Sequence, residues 1–203
     1  MIQNIKESLK KVTIISEEEL TKAQYIKTAM VKAKREDGRD IAWEMEKGYN
    51  SVHIMVDNID EECIELVQQV RVPVKVTNPE TDGVTTEACA GLIDKNKDTV
   101  VIAQEELLEE MGYDVPTDYI VPVRVYNSNV GKSGNQVHTF KTEVTNSMRV
   151  SEGGGLLEED ICIVKLPYEN VMKFIEGKDE YKNIFTDATT LFLLQDWIIS
   201  NTY

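Results

Sequence analysis

The sequence lacks what would mark a disulfide-framed, zinc-bound or membrane-spanning protein. Its three cysteines, Cys63, Cys89 and Cys162, are odd in number, widely spaced and free of any Cys-x-x-Cys pair. They fit small apolar side chains in a reducing compartment better than a disulfide framework or a zinc site. No apolar run approaches the roughly 20 residues that cross a bilayer. The N-terminus, Met-Ile-Gln-Asn-Ile-Lys-Glu-Ser, has no apolar core of the kind a secretory signal needs, so a cytoplasmic protein is expected. Positive charge is scarce as well: 22 Lys and Arg stand against 36 Asp and Glu, a net charge of −14. Nucleic acid or an anionic membrane would be repelled by such a surface. A phosphate-binding loop is missing too. Gly131-Lys-Ser-Gly134 resembles part of one, but Tyr126 stands where that motif needs a glycine. There is no internal repeat and no low-complexity tract.

What is present is enough for one domain with a full core and a small appendage, since 203 residues are 41% hydrophobic and 29% charged. Val12–Ile15 reads as a short strand. Tyr25–Lys34 and Asp40–Met45 flank an Asp-Gly turn and read as a hairpin. Ser51–Val56 and Cys63–Val70, β-branched-rich runs around an acidic turn, read as a second one. Val74–Val84 reads as loop, and Thr85–Ala90 as a strand. Strands are expected again at Ile120–Tyr126, Gln136–Val144 and Ile161–Leu166, helices at Tyr168–Glu176 and Ala188–Ser200. In the last helix Leu191, Leu194 and Ile198 make the buried stripe. His53 and His138 fall on strands as ordinary structural histidines.

The most informative stretch joins Glu87-Ala-Cys-Ala-Gly-Leu-Ile-Asp94 to Val101–Gly112. If Val101–Met111 is helical, Glu106, Glu109 and Glu110 share one narrow arc, because positions i, i+3 and i+4 are neighbours. Val101, Leu107, Leu108 and Met111 fall on the other, core-facing side, and Gly112 ends the helix. Gathered carboxylates repel one another unless a cation sits among them, and a hard divalent ion prefers such oxygen ligands. The alternative for any acidic run is a solvated helix face.

The stretch resembles the Nudix box: Gly, five residues, Glu, seven residues, Arg-Glu, an aliphatic, any residue, Glu-Glu, any residue, Gly, and an aliphatic or aromatic. Gly91, Glu106, Leu107, Glu109, Glu110, Gly112 and Tyr113 fall in register. Lys97 stands where the first Glu belongs and Glu105 where the Arg belongs. Gln69-Val-Arg-Val-Pro73 is similar to the Gln-x-Arg-x-Pro that precedes the box in the ADP-ribose and UDP-sugar pyrophosphatase subgroup. Glu87–Asp94, with Cys89 in a proline position, looks closest to the UDP-sugar enzymes, and Gly153-Gly-Gly-Leu-Leu-Glu-Glu159 is similar to a late catalytic loop of the same enzymes.

This resemblance implies an α/β/α sandwich with a mixed sheet. An N-terminal extension, residues 1–47, would carry a hairpin used as a homodimer contact, and residues 48–203 would form the hydrolase domain. It implies Mg²⁺, with Mn²⁺ as an alternative, held by Glu106, Glu110, the Ala90 carbonyl and Glu159, with Glu109 direct or through water. Glu159, or Glu158, would serve as base. Arg71, Glu87, Lys132 and Ser133 would meet the substrate, a nucleoside diphosphate sugar of UDP-glucose or ADP-ribose type. The departures at Lys97 and Glu105 leave a second possibility open, a catalytically impaired binder of nucleotide sugars.

Overall fold

The computed structural model describes residues 9, 12–17, 22, 26–156 and 160–202. Two adjacent layers of apolar side chains follow directly from strand periodicity. In β3 (Asn50–Asn58), Val52, Ile54 and Val56 point to one side and Met55 to the other; in β4 (Cys63–Val70), Val67 opposes Ile64 and Leu66. Successive side chains alternate across a sheet, so these central strands build a core on each face.

β1 (Lys27–Lys34) and β2 (Asp40–Lys47) form a separate antiparallel two-stranded sheet, with the expected turn between them. The main sheet has seven strands. Its path runs β5 (Val84–Glu87), β4, β3, β8 (Gln136–Val144), β7 (Val121–Asn127). β6 (Cys89–Ile93) pairs with β3 and β9 (Cys162–Pro167) with β4. Only β3 and β8 run parallel among these pairs, so the sheet is mixed. One core, with Ile102, Ala103, Leu107 and Met111 from α2 (Thr99–Met111), covers one face. The other face packs on α3 (Val171–Ile175) and α4 (Ala188–Thr202) through Phe174, Leu193, Leu194 and Trp197. This is the expected α/β/α sandwich.

Several sequence expectations need correction. Residues 12–17 form no strand, and no described strand pairs with them. Val72–Thr77 is a helical turn, α1, rather than loop. Pro73 is well placed at its first turn, where a missing N–H costs nothing, and this overrides three β-favouring valines. Thr85–Ala90 splits into β5 and β6, which pair with different strands. The helix expected at Tyr168–Glu176 is a 3₁₀ turn, Tyr168–Asn170, running into α3. In α4 Leu194 is fully buried while Leu191 and Ile198 are only partly so; Leu193 and Trp197 complete the stripe.

Candidate functional site

The site is built where β6 meets α2. Asp94–Asp98 connects them, and Asp98 accepts from the amides of Val101 and Ile102 to start the helix. Gly112, at φ 73°, ends it in the left-handed region that glycine tolerates, and lets the Tyr113 amide reach back to Leu107. Leu107 and Met111 are buried on the core-facing side as expected, but two positions of α2 differ from expectation: Leu108 is 43% exposed, whereas Glu110 is only 5% exposed. Glu106 and Glu109 are half-buried. Glu110 Oε2 accepts the Ala90 amide at 3.0 Å. A Cβ on residue 91 would overlap the Glu106 carboxylate, so only glycine leaves room for that side chain. Two box glutamates thus lie against one two-residue length of strand, Ala90–Gly91, and Glu109 shares their helix arc.

Arg71, the N-cap of α1, reaches the same region. Its Nε and Nη2 donate to Glu87 Oε1 and Oε2 at 2.9 and 2.6 Å, a two-pronged pair whose carboxylate is 8% exposed. Thr85 Oγ1 adds a third bond to Glu87 at 2.5 Å. Hydrogen bonding and charge from Glu87 hold the Arg71 pKa above its ordinary value despite burial, with Glu110 and Asp187 adding to the field. Expected substrate residues Arg71 and Glu87 are therefore paired, and box residue Glu110 is close enough for its charge to act on Arg71. The strand junction itself is fixed from α4. Asp187 caps that helix by accepting from the Thr189 and Thr190 amides at 2.7 and 3.0 Å, and Thr190 Oγ1 accepts the Ala88 amide at 2.8 Å.

The two residues that depart from the box meet each other. Lys97 Nζ pairs with Glu105 Oε1, and Lys95 Nζ with Glu105 Oε2 at 3.2 Å. The lysines hold the Glu105 carboxyl below the usual carboxylate range. Glu105 is thus compensated by the loop that precedes its own helix.

A further element docks on the end of α2. The amides of Gly154 and Gly155 donate to the carbonyls of Glu110 and Glu109 at 2.8 and 3.1 Å, and Arg149 Nη1 donates to that of Met111 at 2.8 Å. Helix C-termini leave such carbonyls open, and here a distant loop closes them. A Cβ at Gly153, φ 66°, would overlap the Glu110 carbonyl. Arg149 Nη2 also pairs with fully buried Glu65 at 2.5 Å, and its guanidinium lies 4.2 Å from the Tyr113 ring centre. Asn58 and Tyr113 complete the satisfaction of Glu65 Oε1. Sequence reading missed this network, since a lone Arg in Met148-Arg-Val150 carries no pattern. Glu158 and Glu159, the expected base and last metal ligand, lie outside the described residues.

Lys132 and Ser133 are placed with the hairpin. Lys132 Nζ pairs with Glu46 at 2.7 Å, its carbonyl accepts the Glu46 amide, and Ser133 bridges the same residue. Cys89 is buried in the core beside α2, and burial pushes its thiol pKa well up, so it is no nucleophile. Burial likewise raises Cys63 to about 12. His53, opposite Ala90 in the sheet, differs from the ordinary strand histidine expected. Its Nδ1 is buried without a hydrogen-bond partner among the described residues, and burial lowers its pKa against the pull of Asp187 and Glu87.

Among the described residues no three His, Cys, Asp or Glu side chains are gathered closely enough to form a ready metal cage. The donor types do suit a hard cation: Glu106 and Glu110 against the Ala90–Gly91 backbone offer oxygen alone, and the glycine makes the space for one of them. Such a cation would offset the charge of these carboxylates near Arg71.

No family model matches the chain. It is 32% identical over 146 residues to a GDP-mannose pyrophosphatase of Cronobacter sakazakii, covering 72% of each chain. It is 30% identical over 177 residues to the uridine diphosphate glucose pyrophosphatase NUDT14 of Bos taurus, covering 74% of this chain and 80% of that one. The crystal structure of an ADP compounds hydrolase has the same fold, with a TM-score of 0.66 and 20% identity over 96% of this chain and 98% of the other.

Proposed function

The chain belongs to the Nudix hydrolase family, in its nucleotide-sugar pyrophosphatase branch, and on that footing we propose that it splits the pyrophosphate of nucleoside diphosphate sugars. The products are a nucleoside monophosphate and a sugar 1-phosphate. The observation that carries this reading is the seating of Glu106 and Glu110 on Ala90–Gly91, on the helix arc they share with Glu109 and within the electrostatic reach of Arg71.

Mg²⁺, or Mn²⁺ in its place, would be held by Glu106, Glu110 and the Ala90 carbonyl, with Glu109 and Glu159 completing the set, and when bound it neutralises the diphosphate and activates water. Arg71 offers the planar cation suited to a phosphate oxygen pair, aimed by its bonds to Glu87. Glu87, held in turn by Thr85, keeps the guanidinium at the cleft and excludes solvent from its inner edge. Glu159, with Glu158 as second choice, takes the proton of the attacking water. The docking of Gly154 and Gly155 supports this, because these residues, a few positions before Glu158 in sequence, are held at the end of the helix that carries the other carboxylates. Lys132 and Ser133 would reach the distal phosphate or sugar only from the hairpin side.

The hairpin, residues 27–47 of the 1–47 extension, serves as a contact between two copies. A two-stranded ribbon is marginal alone in water, yet Met30 and Trp43 on it are 54% and 56% exposed. The protein is taken as cytoplasmic, consistent with cysteines that form no disulfide among the described residues; among the described residues no helix is long and apolar enough to cross a membrane. The rival reading, binding without turnover, rests on the departures at Lys97 and Glu105, and the pairing of Glu105 with two lysines speaks against its electrostatic part.

A side-by-side panel of UDP-glucose, GDP-mannose and ADP-ribose with Mg²⁺, with products separated by ion exchange, tests the proposal. Monophosphate and sugar 1-phosphate in equal amounts are expected from at least one. Tight binding with no product at any Mg²⁺ or Mn²⁺ concentration would overturn it.

A further inference from the structure

The loop Asp94–Asp98 is the only covalent link between the strand that carries Ala90 and Gly91 and the helix that carries Glu106, Glu109 and Glu110. Its two lysines both reach forward to the second turn of that helix, onto Glu105. Glu105 neighbours Glu106 in sequence and lies one turn before Glu109. Left unpaired, it would add a fourth negative charge to the arc and repel Glu109 across an i, i+4 spacing. The box pattern places an acid at position 97 and a base at 105. Here Lys97 and Glu105 hold the reverse, and the pair is intact with the same net charge.

We propose that Lys97, backed by Lys95, is a positioning residue: its polarity-reversed ion pair with Glu105 staples loop to helix and keeps Glu106 and Glu110 in place against Gly91 and Ala90. Lys97 touches neither substrate nor metal; it acts through Glu105. The pair is partly exposed, with side chains 45% and 33% accessible, and exposed pairs contribute little to global stability. Its effect therefore falls on the arrangement of the carboxylates rather than on whether the protein folds. Lys95 can take over when Lys97 is merely neutralised, so charge reversal is the informative change.

This rests on the metal-dependent hydrolase reading, and the test separates the two. Full-length Lys97→Glu, Glu105→Arg and the double variant are compared with wild type in three measurements: Mn²⁺ binding by electron paramagnetic resonance, metal-free melting temperature, and kcat and KM on the nucleotide sugar the wild type cleaves. Each single reversal is expected to weaken Mn²⁺ binding and lower kcat by about ten-fold, with KM changed by less than about three-fold. The double variant returns both to within about three-fold of wild type, while the melting temperature stays within about 2 °C throughout. Single variants that bind Mn²⁺ like wild type, or a double variant no better than the worse single, would overturn the proposal. So would losses that track a falling melting temperature, which mark a purely structural pair. If the wild type cleaves no nucleotide sugar, the functional reading fails, and the Mn²⁺ series still decides the role of the pair.

Discussion

At the scale of single residues, Gly91 is the most exposed to test. The Glu106 carboxylate occupies the volume a Cβ would fill, and it is the far end of a flexible side chain. Gly91→Ala should therefore displace that carboxylate rather than unfold the strand. Loss of kcat by about 100-fold is expected, from one misplaced oxygen ligand, with a melting temperature within a few degrees of wild type. Steady-state kinetics and calorimetry on the same sample check it. Much at this scale was legible beforehand. Glu106, Glu109, Glu110, Ala90, Arg71 and Glu87 are expected from spacing and resemblance; the structure pairs Arg71 with Glu87 and seats Glu106 and Glu110 on the strand at Ala90–Gly91. The partner of Glu105 was less so, because an ion pair depends on how a loop folds back over its own helix. The burial of the His53 Nδ1 was not legible at all; strand alternation gives a face but not what covers it.

Among the elements, the loop of residues 149–156 matters most. Its fit to the end of α2 uses three backbone or guanidinium donors on consecutive carbonyls, Glu109, Glu110 and Met111. Arg149 also neutralises Glu65, which is 0% exposed. Removing one partner of a buried pair leaves the other charge stranded, at a cost of roughly 3–5 kcal/mol. Arg149→Met should lower the melting temperature by about 6–20 °C, using ~2–4 °C per kcal/mol for a chain of this size. Glu65→Gln in the same background should recover part of that loss. If Arg149→Met melts like wild type, the pair is not what holds the loop. Sequence periodicity located both α2 and the loop and put Leu107 and Met111 on the buried side, but misjudged Leu108 and Glu110. The gap left by Gly91 takes in the Glu106 carboxylate, and the Ala90 amide holds that of Glu110. Periodicity registers hydrophobicity, and this helix is seated partly by a missing side chain.

For the whole molecule, the sandwich and its mixed sheet were readable from β-branched runs and the box. The small corrections fall where a proline or a strand partner decided the outcome, as at Val72–Thr77 and the β5–β6 break. The hairpin stands outside the seven-stranded sheet, with Trp43 Nε1 bonded to the Gly131 carbonyl and much of its ring in solvent. As a contact between copies it predicts that Trp43→Asp shifts sedimentation from dimer to monomer, leaving metal binding unchanged. A wild type that sediments as a monomer at every concentration would contradict that assignment.

The central claim is that acidic side chains on one helix, set against two residues of one strand, make a metal-dependent diphosphate-splitting site. The most direct measurement is a ³¹P NMR time course on the nucleotide sugar that the wild type prefers, with Mg²⁺, comparing wild type and Glu110→Gln. Glutamine keeps the oxygen that accepts the Ala90 amide, so the fold should persist while the metal-ligating charge is lost. The account predicts that two monophosphate resonances replace the pyrophosphate pair in the wild type, and that turnover by Glu110→Gln falls at least about 1000-fold. Equal rates for the two proteins, or wild-type turnover undiminished by a chelator, would contradict it.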